Sequence, residues 1–260
     1  MWAAYARWML LRSATPMWLK SDPSAAVRCW ASFSEYWNYR EGLPESEFLF
    51  LKRVRKASDR PVAIDVGANI GIFTLEMARL GFEVHAFEPV ATTFARLKKN
   101  VEALPRSGSS VTLNQSACGD REGAVPFAVD ERSAGENRIA VAGRDTGVPV
   151  EVSCITLDAY CARASIAAID FLKIDVEGME PRVIRGAARL LRARKVAAML
   201  IEICPANLIN VNSSIEELVD AVEGLGYGLF GLSPSGVPAG RFDLTSLKQA
   251  VLMNAVALPA

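Results

Sequence analysis

At 260 residues the chain is long enough to bury one large α/β core, and 51% hydrophobic with 22% charged residues is the composition of a globular protein. Lys+Arg and Asp+Glu each total 29, so the formal net charge is zero and the basic excess typical of nucleic-acid binders is missing. Five cysteines without a Cys-x-x-Cys pair, beside a single histidine, rule out a Cys/His zinc site. The cysteines sit mostly in apolar surroundings and read as buried thiols of a cytoplasmic protein. No apolar run approaches the ~18 residues of a membrane-spanning helix.

Residues 1–60 read as a helical extension. Met1–Lys20 carries Trp2, Tyr5, Trp8 and Trp18 among Arg7, Arg12 and Lys20, and the arginines interrupt the apolar stretch that a secretory signal needs. This segment is expected to be a helix packing on its own domain or on a second subunit. The alternative is weak contact with a membrane surface through residues 1–20. Trp30, Phe33, Tyr36, Trp37 and Tyr39 read as a packing cluster. Glu47–Lys56 is an amphipathic helix and Ala57–Pro61 the turn that ends it.

From residue 61 to 260 a regular alternation sets in. Val62–Val66 is a short apolar strand, followed by a glycine loop, a helix to Leu80, strand Glu83–Phe87, helix Ala91–Leu104 and strand Val111–Gln115. Strands separated by helices imply βαβ units and a mostly parallel, doubly wound sheet. The rhythm breaks at Ala124–Val129 and Val148–Ile155, two strands joined by the long polar stretch Asp130–Gly147. That stretch, with Ser133, Glu136, Asn137 and Arg138, suits an acceptor-side lid. Alternation resumes with strand Ala168–Ile174, helix Glu180–Arg194, strand Val196–Ile203 and helix Ser214–Leu225. Tyr227–Leu232 and Gln249–Leu258 close the chain as an antiparallel pair.

The loop Asp65-Val-Gly-Ala-Asn-Ile-Gly71 is the first element that carries chemistry. Its glycines let the backbone turn tightly and approach a ligand, and the following helix N-terminus offers free N–H groups. A dinucleotide fingerprint, G-x-G-x-x-G, fails here at Asn69 and Ile72. A pyrophosphate would also sit badly beside the carboxylate of Asp65. A cationic, phosphate-free nucleoside such as S-adenosylmethionine suits it. Glu88, at the end of the second strand, stands where an acid accepts hydrogen bonds from ribose hydroxyls.

Val62–Thr74, Ala86-Phe-Glu-Pro89, Thr156-Leu-Asp158 and Phe171-Leu-Lys-Ile-Asp-Val-Glu-Gly-Met-Glu180 resemble the FkbM family of class I methyltransferases. The likeness runs from about Val62 to Ile203. It implies a seven-stranded Rossmann-like sheet and methyl transfer to a hydroxyl of a carbohydrate, glycolipid or natural product. By position, Asp65, Gly67, Asn69 and Gly71, with Ala68 between them, would hold the methionine part of S-adenosylmethionine. Glu88 would hold the ribose, and Ser116, Ala117 and Cys118 would flank the adenine, with Asp120 nearby. Transfer to nitrogen or carbon is the alternative, lowered by the absence of an Asn-Pro-Pro-Tyr block. A non-catalytic cofactor-binding protein at a membrane surface is a further one.

An alcohol needs a positioned proton acceptor. His85 lies inside the second strand and reads as a core residue. Asp175, at the end of the strand Ala168–Ile174, is the expected base or acceptor-orienting residue, with Glu177 in support. Lys173, Asp175 and Glu177 share a direction if the strand stays extended. Glu202, inside Leu200-Ile-Glu-Ile-Cys204, faces the site or pairs with Lys173. Members of this family often carry a histidine shortly after that glutamate, where this chain has Cys204. No metal ligand is assigned, although the three carboxylates could instead gather Mg²⁺.

Overall fold

Alternating apolar runs of five to eight residues build the centre of the molecule. A computed structural model describes residues 45–55, 59–104, 109–128, 138–139 and 150–260. The expectations for residues 1–44, and all of the polar stretch 130–147 except a short strand, lie outside the described residues. The strands are β1 (Val62–Val66), β2 (Glu83–Phe87), β3 (Val111–Asn114), β4 (Ala117–Cys118), β5 (Gly123–Ala128), β6 (Arg138–Ile139), β7 (Val150–Ile155), β8 (Ile169–Ile174), β9 (Val196–Ile203), β10 (Tyr227–Leu232), β11 (Pro238–Arg241) and β12 (Met253–Pro259).

The main sheet has the order β11-β10-β12-β9-β8-β1-β2-β3. The run β9-β8-β1-β2-β3 is parallel, and β12, β10 and β11 are antiparallel to their neighbours. The sheet therefore has eight strands, one more than expected, because Pro238–Arg241 folds back on β10 as an edge hairpin. A separate four-stranded sheet, β4-β7-β5-β6, holds the two strands at which the alternation broke. The closing strand begins at Met253 rather than Gln249. Leu244–Gln249 is instead a short helix, whose first turn is capped by the Asp243 carboxylate accepting from Ser246 N at 2.7 Å. The helix expected over Glu180–Arg194 is two pieces, Glu180–Gly186 and Ala188–Arg192. The break falls where Gly119 crowds Gly186, since a Cβ there would lie 1.9 Å from the Gly119 carbonyl oxygen.

Burial on both faces gives each central strand two apolar sides. On one side Ile64, Val66, Leu172, Ile174, Met199, Ile201 and Ile203 meet the helices that follow β7, β8 and β9. On the other, Ala63, Phe171, Ala198, Leu200 and Val256 pack with Met77, Phe82 and with Phe50 and Leu51 of helix Glu45–Arg55. Period-two alternation then places Asp65, Lys173, Glu202 and Asn254 on this second face. A row of polar side chains thus crosses an otherwise apolar surface towards the carboxyl ends of the parallel strands.

Candidate active site

Asp65 is buried in β1, directly opposite Lys173 of β8 in the sheet register. Its carboxylate accepts the Thr74 hydroxyl at 2.6 Å, from the helix Ile72–Arg79 that follows the loop. Burial pushes its pKa up to about 6, against the hydroxyl and the nearby Lys173 ammonium, which favour the charged form. The chain then leaves the strand through Gly67, at φ 78°. A Cβ at this position would stand 1.8 Å from the Asp175 carbonyl oxygen, so the loop lies directly against the end of β8. The Gly67 and Ala68 amides donate to Phe87 O at 3.1 and 2.9 Å, which ties the loop to the end of β2.

Glu88 completes this half. It is buried, and its two carboxylate oxygens accept Asn69 N at 3.1 Å and Val90 N at 2.9 Å. Burial raises its pKa to about 7 despite these two bonds. Asn69 has φ 50°, and its buried Oδ1 has no hydrogen-bond partner among the described residues. An unpaired buried acceptor beside two carboxyl groups is the complement of a donor-rich cationic ligand rather than of a phosphate. Ser116, Ala117 and Cys118 are all buried beyond the end of β3, where Glu88 N donates to Asn114 O at 3.1 Å. The Cys118 side chain belongs to the main apolar core with Leu157 and Cys161. Asp120 is engaged at the surface by Arg185 at 3.4 Å.

The second half is built on charge. Lys173 is 2% exposed, in a strand whose other residues are apolar apart from Asp170 at its start. Its Nζ donates to Asp175 Oδ2 at 3.1 Å and lies 5.2 Å from the centre of the Phe73 ring. Burial disfavours the ammonium, but the acids around it, Asp175 first, outweigh burial and hold the pKa above the ordinary lysine value. Asp175 keeps about a third of its side chain open, at 32%. The extended geometry does not continue through Glu177. The strand stops at Ile174, and Glu177 adopts φ 53°. Its Oε2 accepts instead from the Asn207 side-chain amide, on the helix Pro205–Asn210 after β9. Glu180, buried at the start of the helix after β8, accepts Val176 N at 3.1 Å and Gly178 N at 3.2 Å and so shapes the whole turn. Burial raises its pKa to about 7.

Glu202 approaches from β9. One oxygen from each of Asp175, Glu177 and Glu202 falls within 4.8 Å of the others. Burial first, then the charge of Asp175, pushes the Glu202 pKa up to about 9, with Lys173 acting in the opposite sense. The direct ion pair of Lys173 is with Asp175. Beyond Glu202 the row continues to Asn254, its register partner on β12, whose amide donates to Glu47 at 3.0 Å. Glu47 and Asn254 are missed by motif reading. The available signal is a polar residue inside the apolar strand Met253–Pro259. His85 is buried, and its Nδ1 lies 2.8 Å from the Tyr160 hydroxyl, the placement of a core histidine.

Residues 65–229 match the methyltransferase FkbM domain. A 31-O-demethyl-FK506 methyltransferase, FkbM, of Streptomyces tacrolimicus is 31% identical over 198 residues, 64% of this chain and 72% of that protein. A hexuronic acid methyltransferase, AglP, of Haloferax volcanii is 27% identical over 203 residues, 75% of this chain and 79% of that protein. The crystal structure of methyltransferase FkbM from Methylobacillus flagellatus KT aligns with a TM-score of 0.52 at 18% identity. That alignment covers 98% of this chain and 59% of the solved chain, so the present sequence spans less than two thirds of its length. At this identity the likeness establishes the fold.

Proposed function

The chain belongs to the FkbM methyltransferase family and is a methyltransferase, and from that premise we propose that it transfers a methyl group from S-adenosylmethionine to a hydroxyl oxygen of a sugar, glycolipid or related natural product. The observation that carries this reading is the contact between the two halves of the site. Gly67 lies so close to the Asp175 carbonyl that only a glycine fits, which makes the acidic nucleoside cradle and the strand-end carboxylate neighbours. The names of the two relatives, one acting on a demethylated oxygen of FK506 and one on hexuronic acid, support a hydroxyl-bearing acceptor.

Asp65 and the orphaned Asn69 Oδ1 would meet the amino acid end of the cofactor, and Glu88 its ribose. Ser116 and Ala117 would border the adenine. When bound, S-adenosylmethionine supplies a methyl group already activated by a sulfonium, so the chain's own task is positioning and proton handling. Asp175 would accept the acceptor's hydroxyl proton and turn an oxygen lone pair towards the methyl carbon. Glu177, held by Asn207, would line the same opening. Calorimetry with S-adenosylmethionine and with NAD tests the cofactor, and binding of NAD alone would overturn it. Labelled methyl donor offered with uronic acid glycosides and hydroxylated natural products tests the acceptor atom. Label recovered on nitrogen or carbon would overturn the oxygen assignment.

A further inference from the structure

The polar row brings together more negative charge than its lysine can neutralise. Asp175, Glu177 and Glu202 converge within 4.8 Å, and among the described residues Lys173 makes its ion pair with Asp175. Glu177 is separately bound by the Asn207 amide. Glu202 is left facing Asp175 from the middle of the sheet, with carboxylate oxygens of the two no more than 4.8 Å apart. The groups around it are Lys173 from β8, Asp175 and Glu177 from the turn that follows it and Asn254 from β12. Glu47 lies behind Asn254, and Asp65 behind Lys173. Two carboxylates this close in a partly buried place resist being ionised together, because each charge raises the cost of the other.

We propose that Glu202 is a positioning residue, held as a neutral carboxylic acid whose O–H donates to Asp175 and, together with Lys173, fixes the Asp175 carboxylate in place. The proposal rests on the methyltransfer reading given above. The row then carries Lys173 as a cation and Asp175 as the ionised partner of the pair. As the acceptor oxygen forms its bond to the methyl carbon, the carbon–sulfur bond breaks with its electron pair going to sulfur. The proton released from the acceptor oxygen passes to Asp175. The open third of the Asp175 side chain gives that proton a way to water. Glu202 keeps its own proton throughout, and Asp175 alone gains and loses one. The raised pKa of Glu202 agrees with this arrangement.

The test is a carbon-13 titration of the full chain labelled at the glutamate side-chain carboxyl carbons. Glu202 is identified as the resonance lost in Glu202→Gln, which replaces an O–H donor by an N–H donor of the same shape. It should titrate near pH 9, where Glu202 is pushed to about 9, and in Asp175→Asn it should fall by roughly one to three pH units as the neighbouring charge disappears. A Glu202 resonance titrating in the ordinary glutamate range would overturn the proposal. So would a midpoint unmoved in Asp175→Asn, since burial alone would then hold the proton. A midpoint driven down by added magnesium chloride would also overturn it, by showing a cation in the proton's place. Calorimetry with S-adenosylmethionine on the same samples keeps the two readings apart. Absence of binding would refute the functional reading and leave the titration standing, whereas normal binding with an ordinary Glu202 midpoint would refute only this proposal.

Discussion

The loop Asp65–Gly71 and the strand end Lys173–Glu180 lie against each other, yet they are held by different physics. The loop is a backbone device. Its turn is set by residues at positive φ, its amides are tied to the end of β2, and its acids are anchored by neighbouring N–H and O–H groups close in sequence. The strand end is a side-chain device. Lys173 comes from β8, Asp175 from just beyond its end, Glu202 from β9 and Asn207 from the helix after it, and they meet only through side-chain contacts. The loop is therefore a local motif, while the charge row depends on the neighbouring strands β8 and β9 being in register.

That contrast can be broken most severely at Gly67. Gly67→Ala must accommodate φ 78° and a Cβ at 1.8 Å from the Asp175 carbonyl oxygen. It should cost about 3 kcal/mol or more, read as a lowered denaturation midpoint, with loss of S-adenosylmethionine binding. A variant with wild-type stability and affinity would show that the two halves are not in contact.

Asp175→Asn should leave cofactor affinity within a few-fold of wild type and reduce turnover by roughly 10² to 10⁴-fold, the range of a lost proton acceptor. Steady-state rates with a labelled methyl donor read both quantities. Unchanged turnover would move the chemistry away from the strand end.

Asp65→Asn sharpens the comparison from the other side. The amide can still accept the Thr74 hydroxyl but lacks the charge, so affinity for the sulfonium cofactor should fall by about tenfold or more while the melting temperature holds or rises. Intact affinity in calorimetry would remove Asp65 from the cofactor site.

The last effect, spread over several acids, is on pH and stability. Asp65, Glu88, Glu180 and Glu202 all have folded-state pKa values raised by burial, to about 6, 7, 7 and 9, from 3.8 for the aspartate and 4.5 for the glutamates. Between those limits the folded chain binds more protons than the unfolded one, so stability falls as pH rises. The contribution is full below about pH 4 and is lost progressively above it, up to about pH 6 for Asp65, 7 for Glu88 and Glu180 and 9 for Glu202. Thermal melts in the absence of cofactor should therefore decline from pH 6 to pH 9. Glu202→Gln should flatten the upper part of that decline.

Much of the architecture was legible in the chain. Val62–Val66, Glu83–Phe87, Val196–Ile203 and Tyr227–Leu232 are strands at the bounds that their apolar runs indicate, because a strand buried on both faces advertises itself as a continuous apolar segment. The glycine loop was legible for a related reason, since its turn depends on residue type at fixed spacing. The hairpin strand Pro238–Arg241 was not, being a short, mostly exposed edge with little to bury. The break after Gly186 was equally hidden, since the residue that approaches the chain there, Gly119, is distant in sequence.

Within the site, the sequence alone determined which acids stand at strand ends, namely Asp65, Glu88 and Asp175, and that no phosphate-binding spacing accompanies them. Only the tertiary structure decided how those acids are paired. Register sets Asp65 beside Lys173 and Glu202 beside Asn254, and the turn at Glu177 swings that carboxylate onto Asn207. Strand periodicity tells each residue its face, but not its neighbour on the next strand. In this molecule burial raises the pKa of each of these acids first, and the neighbour on the next strand adds to that shift or offsets it.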